Sequence, residues 1–204
     1  MYKHIIFDFG GVFLDLGGKH STAPEHLAKI FGTTEEEMDG IWKQSRDRLV
    51  KGLVTPRQYL ALLQKMLGKK VDIDAAYDEW RSMTKTGKEQ INWELVEYVK
   101  MLKKHCRLHM LSDTLGLDLP REKWFEEIDG HFDNIFRSHE QKVKKPDSEA
   151  FMNALHKIGA KPDECIFIDD HEPNVVAARK LGIMAIQFRS VGQLKDELER
   201  LGVG

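Results

Sequence analysis

The chain has 204 residues, of which 41% are hydrophobic and 31% charged, and its formal net charge is −2 at pH 7. This length allows one sizeable core, or a core with a small appended domain, and the composition excludes a disordered or fibrous chain. The near-neutral charge favours neither a nucleic-acid partner nor an anionic membrane surface. We therefore expect a small-molecule or protein partner, while the sequence carries no signal of oligomeric state.

The N-terminal residues and the cysteines bear on location. The chain enters a short apolar strand at once, without the long apolar stretch and small-residue cleavage site of a signal peptide. It also holds no run of about 18 apolar residues that would span a membrane. Cys106 and Cys165 each lie next to a predicted strand and are expected to be reduced, buried thiols. These features favour a cytoplasmic protein.

The first predicted strand ends at an aspartate, and a pair of glycines follows it closely. Residues 4–12 read His-Ile-Ile-Phe-Asp-Phe-Gly-Gly-Val, which is typical of a buried strand with Asp8 at its carboxyl end. In an open α/β sheet this edge binds ligands, and Gly10 and Gly11 let the backbone approach a charged group closely. Asp8 is the first candidate for chemistry; the alternative is that it only caps a tight turn.

Residues 16–90 carry helical periodicity and no convincing strand. Threonine caps, an acidic first turn and a proline at a first helical position mark the helix starts. The sequence therefore predicts a small helical bundle inserted after the first strand. Its predicted helices run from about Glu35 to Leu49, after a cap at Thr33 or Thr34, from Pro56 until Gly68 ends the helix, and from Asp74 to Met83.

From about Asn92 the pattern alternates between helices and strands. Such alternation favours a doubly wound, mainly parallel sheet, so we predict an α/β, Rossmann-like core. The core would comprise residues 1–15 and 91–204, with residues 16–90 inserted as a helical cap. The predicted strands of this part lie at 107–111, 132–136, 165–168 and 183–188, and the predicted helices at about 95–102, 151–158, 173–181 and 194–201.

Three of the predicted strands end in polar residues, which are Asp8, Ser112 with Asp113, and Asp169 with Asp170. The ends of parallel strands converge on one crevice, so we expect these side chains to be neighbours in space. Four carboxylates gathered there would repel one another unless a cation lay among them. Oxygen ligands of this kind suit Mg²⁺, which favours carboxylates together with phosphate oxygens and water.

A run of lysines precedes Pro146. Lys142, Lys144 and Lys145 could supply balancing positive charge, because the run lies between the second and third carboxylate clusters along the chain. A solvated surface is the alternative interpretation of such a run.

These residues resemble the four motifs of the haloacid dehalogenase superfamily of phosphohydrolases, in order and across the whole chain. The strand with Asp8 is similar to the first motif, Leu111-Ser112-Asp113 to the second, Lys145-Pro146 to the third, and residues 166–170 with Asn174 to the fourth. Each motif alone is weak, but the ordered set is specific. The block at 16–90 is similar to the mobile cap that the family inserts after its first motif.

The resemblance implies a Mg²⁺-dependent phosphatase that acts on a small phosphorylated metabolite, for example a sugar phosphate. Asp8 would attack the phosphorus atom and form an aspartyl-phosphate, which water then hydrolyses. Asp8 would also bind Mg²⁺, together with Asp169 and the main-chain carbonyl of Gly10.

The remaining motif residues would hold the phosphoryl group and the ligands. Ser112 and Asp113 would contact the phosphoryl oxygens, although the family often has Asn where this chain has Asp113. Lys145 would offset the charge that builds up during transfer. Asp170 and Asn174 would orient the metal ligand and the lysine from outside, with direct ligation by Asp170 left open.

Gly10 departs from the family's pattern, since its phosphatases usually carry a second aspartate there that protonates the leaving oxygen. A general acid contributes about 10² to 10⁴ in rate. We hypothesise that the leaving group needs little protonation, as in the anomeric phosphate of a sugar, or that the cap supplies an acid. A subset of the family with the same Asp-x-Gly arrangement acts on sugar-1-phosphates or similar substrates.

Two other functions stay open. In a metal-independent haloacid dehalogenase the same aspartate would attack carbon, but Asp169 and Asp170 would have little use there. A non-catalytic binding protein of this fold is favoured by Gly10 and disfavoured by the presence of the nucleophile, the hydroxyl, the lysine and the metal carboxylates.

Other patterns have simpler explanations. His105 and His109 have the spacing of zinc ligands on one helix, but the stretch between them passes from helix to strand. The four tryptophans are expected to pack in the core and at the interface with the cap. Arg46 and Arg48 in the cap could meet an anionic substrate, although arginines on a helix are more often solvated.

Overall fold

A five-stranded sheet forms the centre of the protein in a computed structural model that describes residues 2–18, 21–85, 87–118 and 123–203. The strands lie in the order β3-β2-β1-β4-β5 and every neighbouring pair is parallel. This confirms the predicted α/β class with a parallel sheet. In chain order the strands are β1 (His4–Phe7), β2 (Arg107–Ser112), β3 (Asn134–Arg137), β4 (Cys165–Asp169) and β5 (Met184–Gln187).

Helices precede and follow each later strand. Those between β1 and β2 are α1 (Ala23–Phe31), α2 (Glu35–Val50), α3 (Pro56–Leu67), α4 (Ile73–Met83) and α5 (Trp93–Leu102). Those in the second half are α6 (Lys123–Asp129), α7 (Ser138–Gln141), α8 (Ser148–Ile158), α9 (Glu172–Lys180) and α10 (Val191–Arg200). Short 3₁₀ turns lie at Lys88–Gln90 and Pro162–Glu164.

Helices pack on both faces of the sheet, as expected for a doubly wound fold. Alternate residues of β1 point to opposite faces. Ile5 and Phe7 pack in one buried cluster with α5 and α10, and Ile6 packs in another with α8 and α9. The strands read as continuous apolar runs because both of their faces are covered.

The helices α1 to α4 have a hydrophobic core of their own. It contains Trp42, Tyr59 and Trp80, and the Tyr59 hydroxyl lies 2.7 Å from Ser45 Oγ. The two segments by which the chain leaves and re-enters the sheet domain lie side by side, since the N–H of Asp15 donates to Gln90 O at 2.8 Å. This packing agrees with an insertion at residues 16–90, and the exact division into a core and a cap stays a prediction.

Local signals fix the ends of the inserted helices. The Thr34 hydroxyl accepts a hydrogen bond from Glu37 N at the start of α2. Thr55 and Gln58 form a reciprocal capping box at the start of α3. Gly68 ends α3 with a φ of 63°, a left-handed conformation that a residue with a Cβ rarely adopts. The threonine caps and the Gly68 terminator follow the sequence prediction.

Three helices, α1, α6 and α7, were not predicted, and the bounds of β2, β3, β4 and β5 differ from the predicted ones by one or two residues. The helices α6 and α7, with seven and four residues, show too few apolar repeats, whereas α1 has a helical apolar pattern at Pro24, Leu27, Ala28 and Phe31 that the sequence prediction missed. Strand β3 begins at Asn134 rather than at Phe132, since Phe132 N–H donates to Asp129 O in a turn before the strand.

The C-terminal end of α2 is anchored on the sheet domain. Ser138 Oγ donates to Val50 O at 2.8 Å, and Lys142 Nζ donates to Gly52 O at 2.7 Å. Lys51 Nζ lies 2.7 Å from Asp147 Oδ2. These bonds hold the inserted helices over the carboxyl edge of the sheet.

A second anchor joins α4 to the segment after β2. Arg81 Nε donates to the main-chain oxygen of Asp118 at 2.6 Å, and the N–H of Asp118 donates to the Tyr77 hydroxyl at 3.3 Å. Elsewhere, Cys106 and Cys165 are buried free thiols, as expected. None of the helices in the described part of the chain has the length and apolarity that a membrane span needs.

Candidate active site

The predicted carboxylates meet in a crevice beyond the ends of β1, β2 and β4. Asp8 directly follows β1, and its N–H donates to Ile168 O at 2.8 Å, which continues the sheet register. Asp8 as a whole residue is only 8% exposed, yet it lines a cavity of about 1090 Å³ between the sheet and the inserted helices. Asp8 therefore combines a rigid backbone with access to a space that can hold a ligand.

Lys145 joins the carboxylates of two strands. Its Nζ lies 2.6 Å from Asp8 Oδ1 and 2.7 Å from Asp169 Oδ2, and the whole residue is buried. Its backbone N–H donates to Asp113 Oδ1 at 3.2 Å. Burial alone would lower the pKa of Lys145, but the charges of Asp8, Asp169 and Asp113 together outweigh it and raise this pKa. Lys145 is therefore a fixed ammonium ion in the crevice.

For Asp8, the carboxyl group beside Lys145, burial raises the pKa instead of lowering it. Removal of water raises the pKa of the Asp8 carboxyl to about 8, Lys145 opposes this rise, and the charge of Asp169 adds to it. The single positive charge of Lys145 therefore cannot neutralise all three nearby carboxylates, those of Asp8, Asp113 and Asp169. A divalent cation among them would favour the ionised form of Asp8.

Asp169 is saturated with hydrogen bonds. Asn174 Nδ2 donates to both of its carboxylate oxygens, at 3.1 and 3.0 Å, and His171 N donates to Oδ1 at 2.8 Å. Together with the contact to Lys145, these bonds leave the fully buried Asp169 facing protein on all sides. Its side chain is therefore positioned to orient Lys145.

Asp170 is placed differently from its neighbour. Its side chain is partly exposed and lines the cavity. It lies directly over Gly11, where an ideal Cβ would come within 2.3 Å of Asp170 Oδ2. Gly11 has a φ of 74°, so this position needs glycine both for its backbone conformation and for the space.

The three aspartates form a group that fits a divalent cation. One carboxylate oxygen each from Asp8, Asp169 and Asp170 can be chosen so that all lie within 4.8 Å of one another. Hard oxygen donors in such a cluster suit Mg²⁺. The geometry brings Asp8 and Asp169 together as predicted, and Gly10 lines the same cavity. It favours Asp170 over Asp169 as the residue that faces the metal, because the oxygens of Asp169 already accept several hydrogen bonds.

The predicted phosphate-contacting residues lie at the end of β2. Ser112 is buried and lines the cavity with Asp113. The Asp113 side chain is exposed to the crevice and accepts the hydrogen bond from the backbone of Lys145. Ser112 can donate to a phosphoryl oxygen, whereas an ionised Asp113 would repel one. The observed bond suggests that Asp113 positions the loop of Lys145.

The other two lysines of the run make contacts away from the carboxylate group. Lys142 Nζ donates to the carbonyls of Gly52 and His139, and Lys144 Nζ lies 3.4 Å from Asp47 Oδ1 on α2. Among the three lysines, the contacts to Asp8 and Asp169 thus belong to Lys145.

Sequence reasoning missed a polar pair on the cavity wall. Thr114 Oγ1 and His139 Nδ1 are hydrogen-bonded to each other, and both residues line the cavity. Thr114 N donates to Ser138 Oγ, the same hydroxyl that anchors α2. The pair joins the segment after β2 to helix α7, and its two residues are 25 positions apart, so no local pattern could have revealed it.

Comparisons with known proteins agree with this geometry. A family model described as a haloacid dehalogenase-like hydrolase matches residues 2–182. D-ribitol-5-phosphate phosphatase from Bacteroides thetaiotaomicron is 21% identical over 97% of each chain. A phosphorylated carbohydrates phosphatase from Thermotoga maritima is 22% identical, over 98% of this chain and 90% of that protein.

A solved structure extends the likeness to the fold. It is a HAD family enzyme from Bacteroides thetaiotaomicron in complex with magnesium and inorganic phosphate. It is 26% identical with a TM-score of 0.71, and the match covers 95% of this chain and 99% of that chain. Because the family model spans most of the sequence, the chain belongs to the haloacid dehalogenase-like hydrolases, and the protein is an enzyme of this class.

Proposed function

We propose that this protein is a magnesium-dependent phosphatase, which hydrolyses the phosphate ester of a small metabolite with Asp8 as the nucleophile. The observation that carries the proposal is the contact between the buried Asp8 carboxylate and Lys145, at 2.6 Å, within a group of three aspartates of which two, Asp8 and Asp170, line the cavity. A carboxylate, a fixed cation and a metal-binding cluster at one point are the parts that phosphoryl transfer needs.

The metal would be held by Asp8 and Asp170, with the main-chain carbonyl of Gly10. When bound, Mg²⁺ supplies positive charge to the phosphoryl oxygens and keeps Asp8 ionised. We propose that Asp169 acts from outside this set, because its oxygens accept hydrogen bonds from Asn174, His171 and Lys145. It would orient the lysine, and Asn174 would orient it in turn.

Two displacements at phosphorus complete the reaction. In the first, an oxygen of Asp8 forms a bond to phosphorus while the ester P–O bond breaks, and the leaving oxygen takes up a proton. In the second, water attacks phosphorus and the bond to Asp8 breaks, which releases inorganic phosphate. Ser112 would donate a hydrogen bond to the phosphoryl group, and Lys145 would offset the negative charge that develops on it.

The proton for the leaving oxygen has no obvious donor at the usual place, because Gly10 has no side chain. We keep the hypothesis that the leaving group is a weak base, such as the anomeric oxygen of a sugar phosphate. The named activities of the two relatives, on D-ribitol-5-phosphate and on phosphorylated carbohydrates, support a phosphorylated sugar or polyol as substrate class.

The test is phosphate release from a panel of an aryl phosphate, a sugar-1-phosphate, a sugar-6-phosphate and D-ribitol-5-phosphate, with Mg²⁺ and with chelator. Asp8→Asn should abolish release. Asp163→Asn makes the same change at an exposed residue beyond the opposite end of β4, and should leave it unchanged. A preference for the sugar-1-phosphate would support the account of Gly10, and equal rates on all sugar phosphates would contradict it.

Other outcomes would favour the alternatives. Hydrolysis of a 2-haloacid that survives chelation would favour the dehalogenase, in which Asp8 attacks carbon. Binding of Mg²⁺ and phosphate without turnover of any ester would favour a non-catalytic binding protein.

A further inference from the structure

One face of α2 lines the cavity opposite the catalytic aspartates. The residues of this face recur at helical spacing and are Glu35, Asp39, Trp42, Lys43, Arg46 and Val50. Trp42 is buried in the core of the inserted helices, and its burial fixes the rotation of α2 about its axis. Arg46 therefore points into the cavity, whereas Arg48, two residues later, is exposed and does not line it.

The turn that carries Arg46 is held against the loop of the catalytic lysine. Asp47 Oδ1 lies 3.4 Å from the Nζ of Lys144, the residue before Lys145. One turn further on, Val50 O accepts the hydrogen bond from Ser138. Arg46 thus lies on a segment that contacts, on both sides, the part of the core that supplies Lys145.

The charge of Arg46 is not used within the protein. In the described residues its guanidinium makes no hydrogen bond or ion pair. Burial raises the pKa of the Tyr59 hydroxyl to about 12, and the charge of Arg46 opposes this rise without reversing it. Lys85 also lines the cavity without an ion pair in the described residues, but it is exposed. Four further cations of the cavity wall have carboxylate partners. These pairs are Lys43 with Asp39 at 2.6 Å, Arg137 with Asp129 at 3.0 Å, Lys144 with Asp47 at 3.4 Å, and Lys145 with Asp8 at 2.6 Å.

The acidic residues of α2 that line the cavity, Glu35 and Asp39, do not neutralise Arg46. Asp39 is paired with Lys43, and Glu35 lies about 16 Å from Arg46 along the helix axis at 1.5 Å per residue. A half-buried guanidinium with free donors is a strong site for a carboxylate or a phosphate, because it binds either in a bidentate manner. The cavity, at about 1090 Å³, is much larger than a single phosphoryl group requires.

We propose that Arg46 binds a second anionic group of the substrate, so that the enzyme's substrates are phosphate esters whose leaving group carries a carboxylate or a further phosphate. This inference rests on the proposed phosphatase function, because it assumes that the first phosphate lies at Asp8. Arg46 is then a specificity-determining residue, which selects the substrate by the second anionic group on its leaving group.

The experiment measures binding, which does not depend on turnover. Dissociation constants are determined by calorimetry, with Mg²⁺ present, for non-hydrolysable alkylphosphonates and for phosphonates of two to five methylenes that end in a carboxylate or a second phosphonate. The wild-type protein should bind the best doubly charged probe about 10- to 100-fold more tightly than the alkylphosphonate of the same length. The better of the two end groups identifies the anion.

Two arginine variants of α2 decide whether Arg46 is responsible. Arg46→Gln should abolish the preference for doubly charged probes and leave the affinity for alkylphosphonates unchanged. Arg48→Gln removes the same charge from the exposed side of α2 and should keep the preference. Equal affinities in the wild-type protein, or a preference that survives Arg46→Gln, would overturn the proposal.

Release of phosphate from an aryl phosphate is measured in parallel. If release depends on Asp8 while the probes bind equally, the phosphatase stands and the second anion site is wrong. If no ester is cleaved, the phosphatase proposal fails, and a preference that disappears in Arg46→Gln would still establish the anion site.

Discussion

Both carboxylate oxygens of Asp169 accept hydrogen bonds from the side-chain amide of Asn174, at 3.1 and 3.0 Å. The same carboxylate holds Lys145 Nζ at 2.7 Å in a fully buried position. The adjacent Asp170 instead lines the cavity. Two neighbouring aspartates with the same chemistry are therefore expected to differ in role, one orienting the lysine and the other meeting the metal.

Neutralising each aspartate in turn should separate these roles. Asp169→Asn removes a buried partner of Lys145, so the free energy of unfolding should fall by about 3 kcal/mol and turnover should drop at any Mg²⁺ concentration. Asp170→Asn should change stability little and weaken the apparent Mg²⁺ affinity by about tenfold or more. Urea unfolding in chelator and Mg²⁺ titrations of phosphate release measure the two effects. Full rescue of Asp169→Asn by high Mg²⁺ would assign the metal to Asp169 instead.

A methyl group at Gly11 should disturb the metal site through Asp170. Gly11→Ala would place a Cβ 2.3 Å from Asp170 Oδ2, and the residue has a φ of 74°. Gly18→Ala is the matched control, because its φ is 76° and a Cβ there meets no atom within 4 Å in the described structure. Each variant should lose about 1 kcal/mol of stability from the left-handed backbone.

Only Gly11→Ala should also weaken Mg²⁺ binding, since only there must the carboxylate move. Isothermal titration with Mg²⁺ compares the two variants with the wild-type protein. Equal Mg²⁺ affinity in both variants would mean that the position of Asp170 does not matter for the metal.

The sequence predicts the location of the site better than the roles within it. Apolar strands that end in Asp8, Ser112 and Asp169 are a local pattern, and the convergence of parallel strand ends then brings these residues together. Which of Asp169 and Asp170 faces the cavity depends on hydrogen bonds from Asn174 and Lys145. Those bonds form only when β4 and the lysine loop have packed, so spacing along the chain does not reveal them.

For a similar reason, the sequence did not reveal which face of α2 lines the cavity. Its surface carries charges on most sides, so the periodicity leaves both Arg46 and Arg48 as candidates. The burial of Trp42 against α3 and α4, through Tyr59 and Trp80, decides which arginine faces the cavity. The short helices α6 and α7 stayed unpredicted because their boundaries depend on tertiary packing.

Placing an acid at residue 10 should change the leaving-group preference. Gly10 has an ordinary backbone conformation, and the nearest atom to an added Cβ is the flexible Leu16 Cδ1 at 3.4 Å, so a side chain can be accommodated. Gly10→Asp should raise the rate on a primary alkyl phosphate by up to about 10²-fold, because the leaving alkoxide then receives a proton. The rate on an aryl phosphate should change little.

Gly10→Asn has the same size without the proton and should give no such gain. Steady-state rates on the two substrates are compared as a ratio for each variant. An unchanged ratio in Gly10→Asp would show that protonation of the leaving group is supplied elsewhere in the cavity.

A buried histidine pair should make stability depend on pH. His109 Nε2 lies 3.0 Å from His4 Nδ1, and Asn134 Nδ2 donates to His109 Nδ1 at 3.2 Å. In this arrangement both rings are neutral, with His109 donating to His4. Burial lowers the pKa of His109 to about 4, with His4 adding to the effect, and burial lowers the pKa of His4 as well.

Below about pH 6.5 the unfolded chain therefore takes up protons at these sites, whereas the folded protein does so at His109 only near pH 4. The free energy of unfolding should fall as the pH drops through this window, by up to about 1.4 kcal/mol per pH unit for each histidine. His109→Gln should make this dependence shallower, and His156→Gln, an exposed position on α8, should leave it as it is. Urea unfolding at half-unit steps from pH 7 to pH 4.5 gives the slopes. Parallel curves for the wild-type protein and His109→Gln would mean that His109 is already charged in the folded state, so that burial does not hold the pair neutral.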